Sequence, residues 1–125
     1  MAASYQTGKT SVSLIKTGAD GNELWDKTFE GEGTAEGQSI QQTVDGGYIL
    51  CGQTISGITG KTEALLIKVD ANGNQLWDKT FEGEGAAESY SVQQTTDGGY
   101  IVCGTTKSLG SGGSKVLLLK IAPEQ

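Results

Sequence analysis

Short apolar runs, cut at regular intervals by glycine-containing turns, set the pattern of this chain. SYSVQQT (Ser89–Thr95), GYIVCGTT (Gly99–Thr106), KVLLLKI (Lys115–Ile121) and QLWDKTF (Gln75–Phe81) each read as a strand bounded by turn residues. Asp45-Gly46-Gly47 and Asp97-Gly98-Gly99 separate the first two strands of each set, where glycine supplies the positive φ of a tight hairpin. Asp20-Gly21-Asn22 and Asn72-Gly73-Asn74 do the same for the last two. No segment shows helical periodicity with caps, so the chain is predicted to be all-β.

The pattern repeats. A shift of 52 residues aligns Thr7–Ile58 with Thr59–Gly110 at 35 identical positions, and LWDKTFEGEG occurs unchanged at Leu24–Gly33 and Leu76–Gly85. So slight a divergence implies recent duplication or deliberate construction. A period near 50 marks a repeat architecture, and four antiparallel strands per period fit a β-propeller blade better than a solenoid coil. Blades stack face to face, so both faces of a strand should carry packing residues: Trp77 and Phe81 on one side, Leu76 on the other. LLLKI is a continuous apolar run, as a strand covered on both faces should be.

The order DGGYI, a small residue and Gly, then LIK-x-D-x-x-G-N-x-LW-x-K-TF, resembles the repetitive β-propellers of bacteria and archaea over about Thr10–Ile121. D-A-N-G-N-Q-L-W is also similar to blades of propellers that hold pyrroloquinoline quinone, although a turn followed by Trp is general blade chemistry. The resemblance implies a fold and hardly any activity. A closed propeller needs about 4–8 blades, and this chain carries about two. Exposed blade faces are avoided by monomers, so the ring is expected to close by head-to-tail self-association. Six blades from a homotrimer is the favoured count and eight from a homotetramer the next.

With strands lettered A to D from the axis outward, the single repeat domain of 125 residues divides into three parts. Residues 10–29 form strands C and D of a split blade, 38–81 a complete blade, and 90–121 strands A, B and C of a split blade. That makes nine strands, one more than two blades require, so one of the two C strands must yield. Val116–Ile121 is more apolar than Ser11–Lys16 and reads as the better strand.

Composition narrows the chemistry. The chain has 20 Gly, no His and a net charge of −6, which repels nucleic-acid phosphates and removes the commonest general base and metal ligand. No apolar run reaches membrane-spanning length. MAASYQTGKTSVSL lacks the basic and apolar regions of a secretory signal, which leaves a cytoplasmic protein or one whose leader is gone. Cys51 and Cys103 stand one period apart and are expected to be buried, unpaired blade-packing residues with Trp25, Phe29, Trp77 and Phe81. Gly-Lys-Thr occurs at Gly8–Thr10 and Gly60–Thr62, but a P-loop needs another Gly where Ala3 and Ile55 stand. Asp70–Asn74 lacks the rest of a calcium loop, so no metal, cofactor or catalytic residue is expected.

One set remains. Glu30, Glu32 and Glu36, with their counterparts Glu82, Glu84 and Glu88, lie between outer and inner strands. Glu36 and Glu88, beside Gln38 and Tyr90, are therefore expected at a channel mouth, as a carboxylate ring open to cations or basic partners. The plainer reading is solubility and hydrogen bonding between blades. The expected function is a self-assembling scaffold or binding module rather than an enzyme. The alternative is a multivalent lectin-like ring binding glycans or another surface through the divergent loops Ile55–Glu63 and Lys107–Lys115.

Overall fold

The computed structural model describes residues 2–6, 9–29, 35–55, 60–81, 86–107 and 114–122. Among them every regular element is a strand: β1 (Ala2–Gln6), β2 (Lys9–Thr17), β3 (Glu23–Phe29), β4 (Ala35–Gln42), β5 (Tyr48–Ile55), β6 (Thr62–Val69), β7 (Gln75–Phe81), β8 (Ala87–Gln94), β9 (Tyr100–Lys107) and β10 (Ser114–Ile121). They form three antiparallel sheets, ordered β1-β2-β3, β4-β5-β6-β7 and β10-β9-β8. The protein is all-β and its sheets are sequential meanders.

The turns explain the strand lengths. Gly46 N–H donates to Thr43 O at 3.0 Å and Thr43 N–H to Gly47 O at 2.9 Å, closing a short loop that leaves Gly46 at φ 88°. Thr95–Gly99 repeats these bonds with Gly98 at φ 88°. Such a left-handed residue ending a tight turn is nearly free for Gly and strained for other residues. At Asp70–Asn74 the carboxylate Oδ1 accepts from the backbone N–H of Asn72 and of Asn74, both at 2.9 Å, so Asp70 is engaged in closing its own hairpin.

The central sheet, β4–β7, lies between the other two, because alternate residues of its strands point to opposite faces. Leu50, Leu65, Ile67 and Val69 join Val12 and Leu14 of the first sheet in one buried cluster, with Trp25, Phe29, Ile40 and Tyr48 packed against it. Ile49, Cys51 and Leu66 join Val92, Tyr100 and Val102 of the third sheet in another, backed by Trp77, Phe81, Leu119 and Ile121. The two interfaces repeat each other. Trp25 meets Tyr48 edge-on at 6.3 Å between ring centroids, and Trp77 meets Tyr100 at 6.0 Å.

Four features differ from the sequence reading. β1 is an additional strand, paired to the Lys9–Ser13 half of β2, and brings the described total to ten rather than nine. The edge strands β4 and β8 begin at Ala35 and Ala87, three residues before Gln38 and Tyr90. Leu24 and Leu76 are 60% and 53% exposed, so the edge strands β3 and β7 bury the face carrying Trp and Phe and leave the opposite leucine open. Cys103 is exposed while Cys51 is buried. The third sheet covers Cys51, and among the described residues no further sheet lies over Cys103.

Candidate functional site

The edge strands β4 and β8 bring the expected site residues to matching positions. Each carries one β-bulge where it pairs with its neighbour. Gly37 faces Gly52 and Ser39 faces Cys51, leaving Gln38 unpaired; Ser89 faces Gly104 and Ser91 faces Cys103, leaving Tyr90 unpaired. A bulge kinks the strand and turns the extra side chain out of the ordinary alternation. It also presses the edge strand onto the next one. A Cβ on Gly52 would lie 1.8 Å from Glu36 O, and one on Gly104 1.9 Å from Glu88 O, so only glycine fits either place. Gln38 and Tyr90 are exposed as a result, with Glu36 and Glu88 half-buried two residues earlier.

The two copies have different hydrogen bonds. Glu36 Oε1 accepts from Gln53 Nε2 at 2.9 Å. Gln53 is buried, and its Oε1 has no hydrogen-bond partner among the described residues. In the second copy Thr105 stands where Gln53 does in the first, and Tyr90 donates its phenol hydroxyl to the Glu88 carboxylate. That bond holds the phenol pKa above its ordinary value, because losing the proton would set an anion against the carboxylate. The set offers acceptors, amides and one phenol on the edges of two adjacent sheets. That chemistry suits hydrogen bonding or the attraction of cations. Glu30, Glu32, Glu82 and Glu84, expected to belong to the same group, lie outside the described residues.

Other polar contacts, not singled out by sequence, join neighbouring sheets or brace a turn within one sheet. Ser89 Oγ donates to Gly52 O at 2.5 Å across the central–third interface. Gln94 Oε1 accepts from Val44 N–H at 2.8 Å, and Gln94 N–H donates to Gln41 Oε1 at 3.3 Å. Lys68 is fully buried, with Nζ 3.1 Å from Asp45 Oδ2 and 3.3 Å from Val69 O. The Thr43 hydroxyl, the Gly47 N–H and Lys68 together draw the Asp45 carboxyl down to about 2. Lys120 and Asp97 repeat the pair at 3.2 Å, both about half exposed. The recurrence of an Asp and a Lys 23 residues apart in both repeats was the available signal.

Trp25, Phe29, Trp77 and Phe81 pack between sheets. Cys51 is buried in a cluster and its thiol is pushed up to about 11 by burial. Among the described residues no three His, Cys, Asp or Glu side chains stand together as a metal site, and no helix is long and apolar enough to cross a membrane. The chain matches no known family model, and no curated protein matches it significantly.

Proposed function

We propose that the chain is a building unit of a self-assembling β-propeller, acting as a scaffold or binding module without catalytic chemistry. In this reading the three sheets are one complete blade flanked by two incomplete ones, and several chains close a ring head to tail. Six blades from three chains is the favoured count, and eight from four is the next.

One observation carries the reading. The outward face of the third sheet repeats the face of the central sheet that the third sheet buries. Ala64 and Leu66 are each 1% exposed, whereas their counterparts Val116 and Leu118 are 79% and 66% exposed. Cys51 and Lys68 are buried, and Cys103 and Lys120 are open. A surface built to be covered by a sheet therefore stands uncovered among the described residues, and large apolar faces of that kind mark interaction surfaces. A further copy of the same sheet is the cover that its side chains already fit.

The ring would bring Glu36 and Gln38 of each central sheet, and Glu88 and Tyr90 of each third sheet, around one axis. A circle of carboxylates with net charge −6 per chain favours cations or basic peptides at its mouth and disfavours nucleic acid. A glycan-binding ring is the lesser reading, because Trp25 and Trp77 already spend their rings on Tyr48 and Tyr100.

Native mass spectrometry tests the assembly. A species of three or four times the 13.0 kDa chain mass is expected. A chain that stays monomeric at all concentrations defeats the proposal. Thiol labelling gives an independent reading: one reactive thiol per monomer, from Cys103, and none per chain in the ring.

A further inference from the structure

β2 and β10 are versions of one strand at opposite ends of the chain. Val12 and Leu14 hold the positions in β2 that Ala64 and Leu66 hold in β6, and Val116 and Leu118 hold them in β10. Only one strand can pair with the inner edge of β3, and in the isolated chain β2 does so, opposite Trp25–Phe29.

The two strands differ in what they turn away from the central sheet. β10 is apolar on both faces, with Leu119 and Ile121 packed inward and Val116 and Leu118 outward. On that face β2 carries Ser13 and Thr17 where β6 has the buried pair Leu65 and Val69, and keeps Ile15, 40% exposed, in the place of Ile67. Ser13 and Thr17 suit a strand with nothing beyond it, whereas β10 suits one covered on both sides. The first sheet is also incomplete toward the inside. β1 pairs with the Lys9–Ser13 half of β2 alone, while β5 runs along the whole of β6. Beside the uncovered half opens a cleft of about 310 Å³, between Leu14, Lys16 and Trp25 on one wall and Ile40, Gln42 and Tyr48 on the other.

We infer that the hairpin β1–β2 is a removable stand-in for β8–β10 of a second copy of this chain. On assembly the copy's β10 takes the inner edge of β3, with Val116 and Leu118 entering the places of Val12 and Leu14, and its β8 and β9 fill the cleft. Repetition fixes the register: Leu117 pairs with Thr28, as Leu65 pairs with Thr80 in β6–β7. Gln42 then accepts from Thr96 N–H of the copy, as Gln94 accepts from Val44. The hairpin thereby shields the docking edge and sets the concentration at which assembly begins. The inference rests on the ring reading and adds which strands make the junction.

Full-length variants test it by native mass spectrometry. Leu118→Asp, at a largely exposed position, is expected to leave a folded monomer and abolish the ring. Leu14→Asp removes a contact made only by the stand-in, so it is expected to strengthen assembly roughly ten- to hundredfold. Thr28→Cys with Leu117→Cys, in a Cys103→Ser background, is expected to link chains covalently on oxidation, and this holds even if Leu14→Asp fails to fold. A ring that survives Leu118→Asp, is lost with Leu14→Asp, and links Ile15→Cys, on the open face of β2, to Cys103 of another chain overturns the inference and leaves the ring reading standing. A chain that is monomeric throughout overturns both.

Discussion

Replacing Asp45 by Asn isolates what one buried cation needs from its partner. The amide keeps an oxygen to accept from Thr43 and Gly47, so the hairpin is preserved and the charge alone is lost. Lys68 has a side chain 1% exposed, and its ammonium lies 3.1 Å from the Asp45 carboxylate and 3.3 Å from the Val69 carbonyl. An exposed ion pair contributes about 0–1 kcal/mol, whereas stripping the partner from a buried charge costs about 3–5 kcal/mol. Asp45 is 60% exposed, which places this pair between those limits, at about 2 kcal/mol.

The pH dependence has a definite sign. The folded Asp45 carboxyl sits at about 2, below its ordinary 3.8, so its contribution is complete above 3.8 and fades as the pH falls toward 2. The shift alone corresponds to roughly 2 kcal/mol, and solvent screening at a mostly exposed carboxylate reduces the share due to Asp45 to about 1 kcal/mol. The remainder comes from the stranded ammonium. Urea unfolding at pH 7, under dilute conditions, should show Asp45→Asn less stable by about 2 kcal/mol, or roughly 6–10 °C in Tm. Lys68→Met, which fills the same space without charge, should be nearly neutral, and in its background the cost of Asp45→Asn should fall to about 1 kcal/mol, because the hydrogen bonds from Thr43 and Gly47 remain. An undiminished cost in that background refutes the reasoning, because the loss would then belong to the turn. Asp97→Asn should cost clearly less than Asp45→Asn in the monomer, since Lys120 is open to water.

Gly52→Ala and Gly104→Ala should each destabilise by about 3 kcal/mol or more, because the new Cβ meets a carbonyl oxygen at 1.8 or 1.9 Å; chemical denaturation reads both, and a cost below 1 kcal/mol would contradict the bulge geometry. Gly98→Ala, at φ 88°, should cost about 1–2 kcal/mol in the same assay. Glu88→Gln should bring the Tyr90 phenol back down toward 10, read at 295 nm against Tyr90→Phe. In the dilute monomer Cys103 should react promptly with a thiol reagent and Cys51 only at the rate of unfolding.

Turn chemistry made most of the strands legible. The Asp-Gly-Gly and Asx-Gly-Asn turns stand where the sequence places them, with glycine carrying the positive φ. The starts of β4 and β8 were hidden by the bulges. Ala35 and Ala87 are buried, but the extra residue at Gln38 or Tyr90 puts them out of step with Ile40 and Val92, so period-two alternation stops at the bulge. β1 was missed because Ala-Ala-Ser-Tyr-Gln is short and has no apolar alternation. Of the candidate site, the positions of Glu36, Gln38, Glu88 and Tyr90 on matching strands followed from the repeat. Their partners did not: Gln53 has Thr105 as its counterpart, so no recurrence announces it.

Cys51 and Cys103 show the limit most plainly. They stand in the same octapeptide frame, DGGYI-x-CG, and one is buried while the other is open. Nothing local separates them, because burial at either is decided by whether another sheet follows. The divergent positions carry that information instead. Ser13 and Thr17 mark the first sheet as one that tolerates water beyond it, and Val116 and Leu118 mark the last as one that does not. Two unlike ends, in the ring reading, favour head-to-tail addition over the pairing of like faces. In the ring reading this polarity, more than the identity of the repeats, is what lets copies add in one direction until the circle closes.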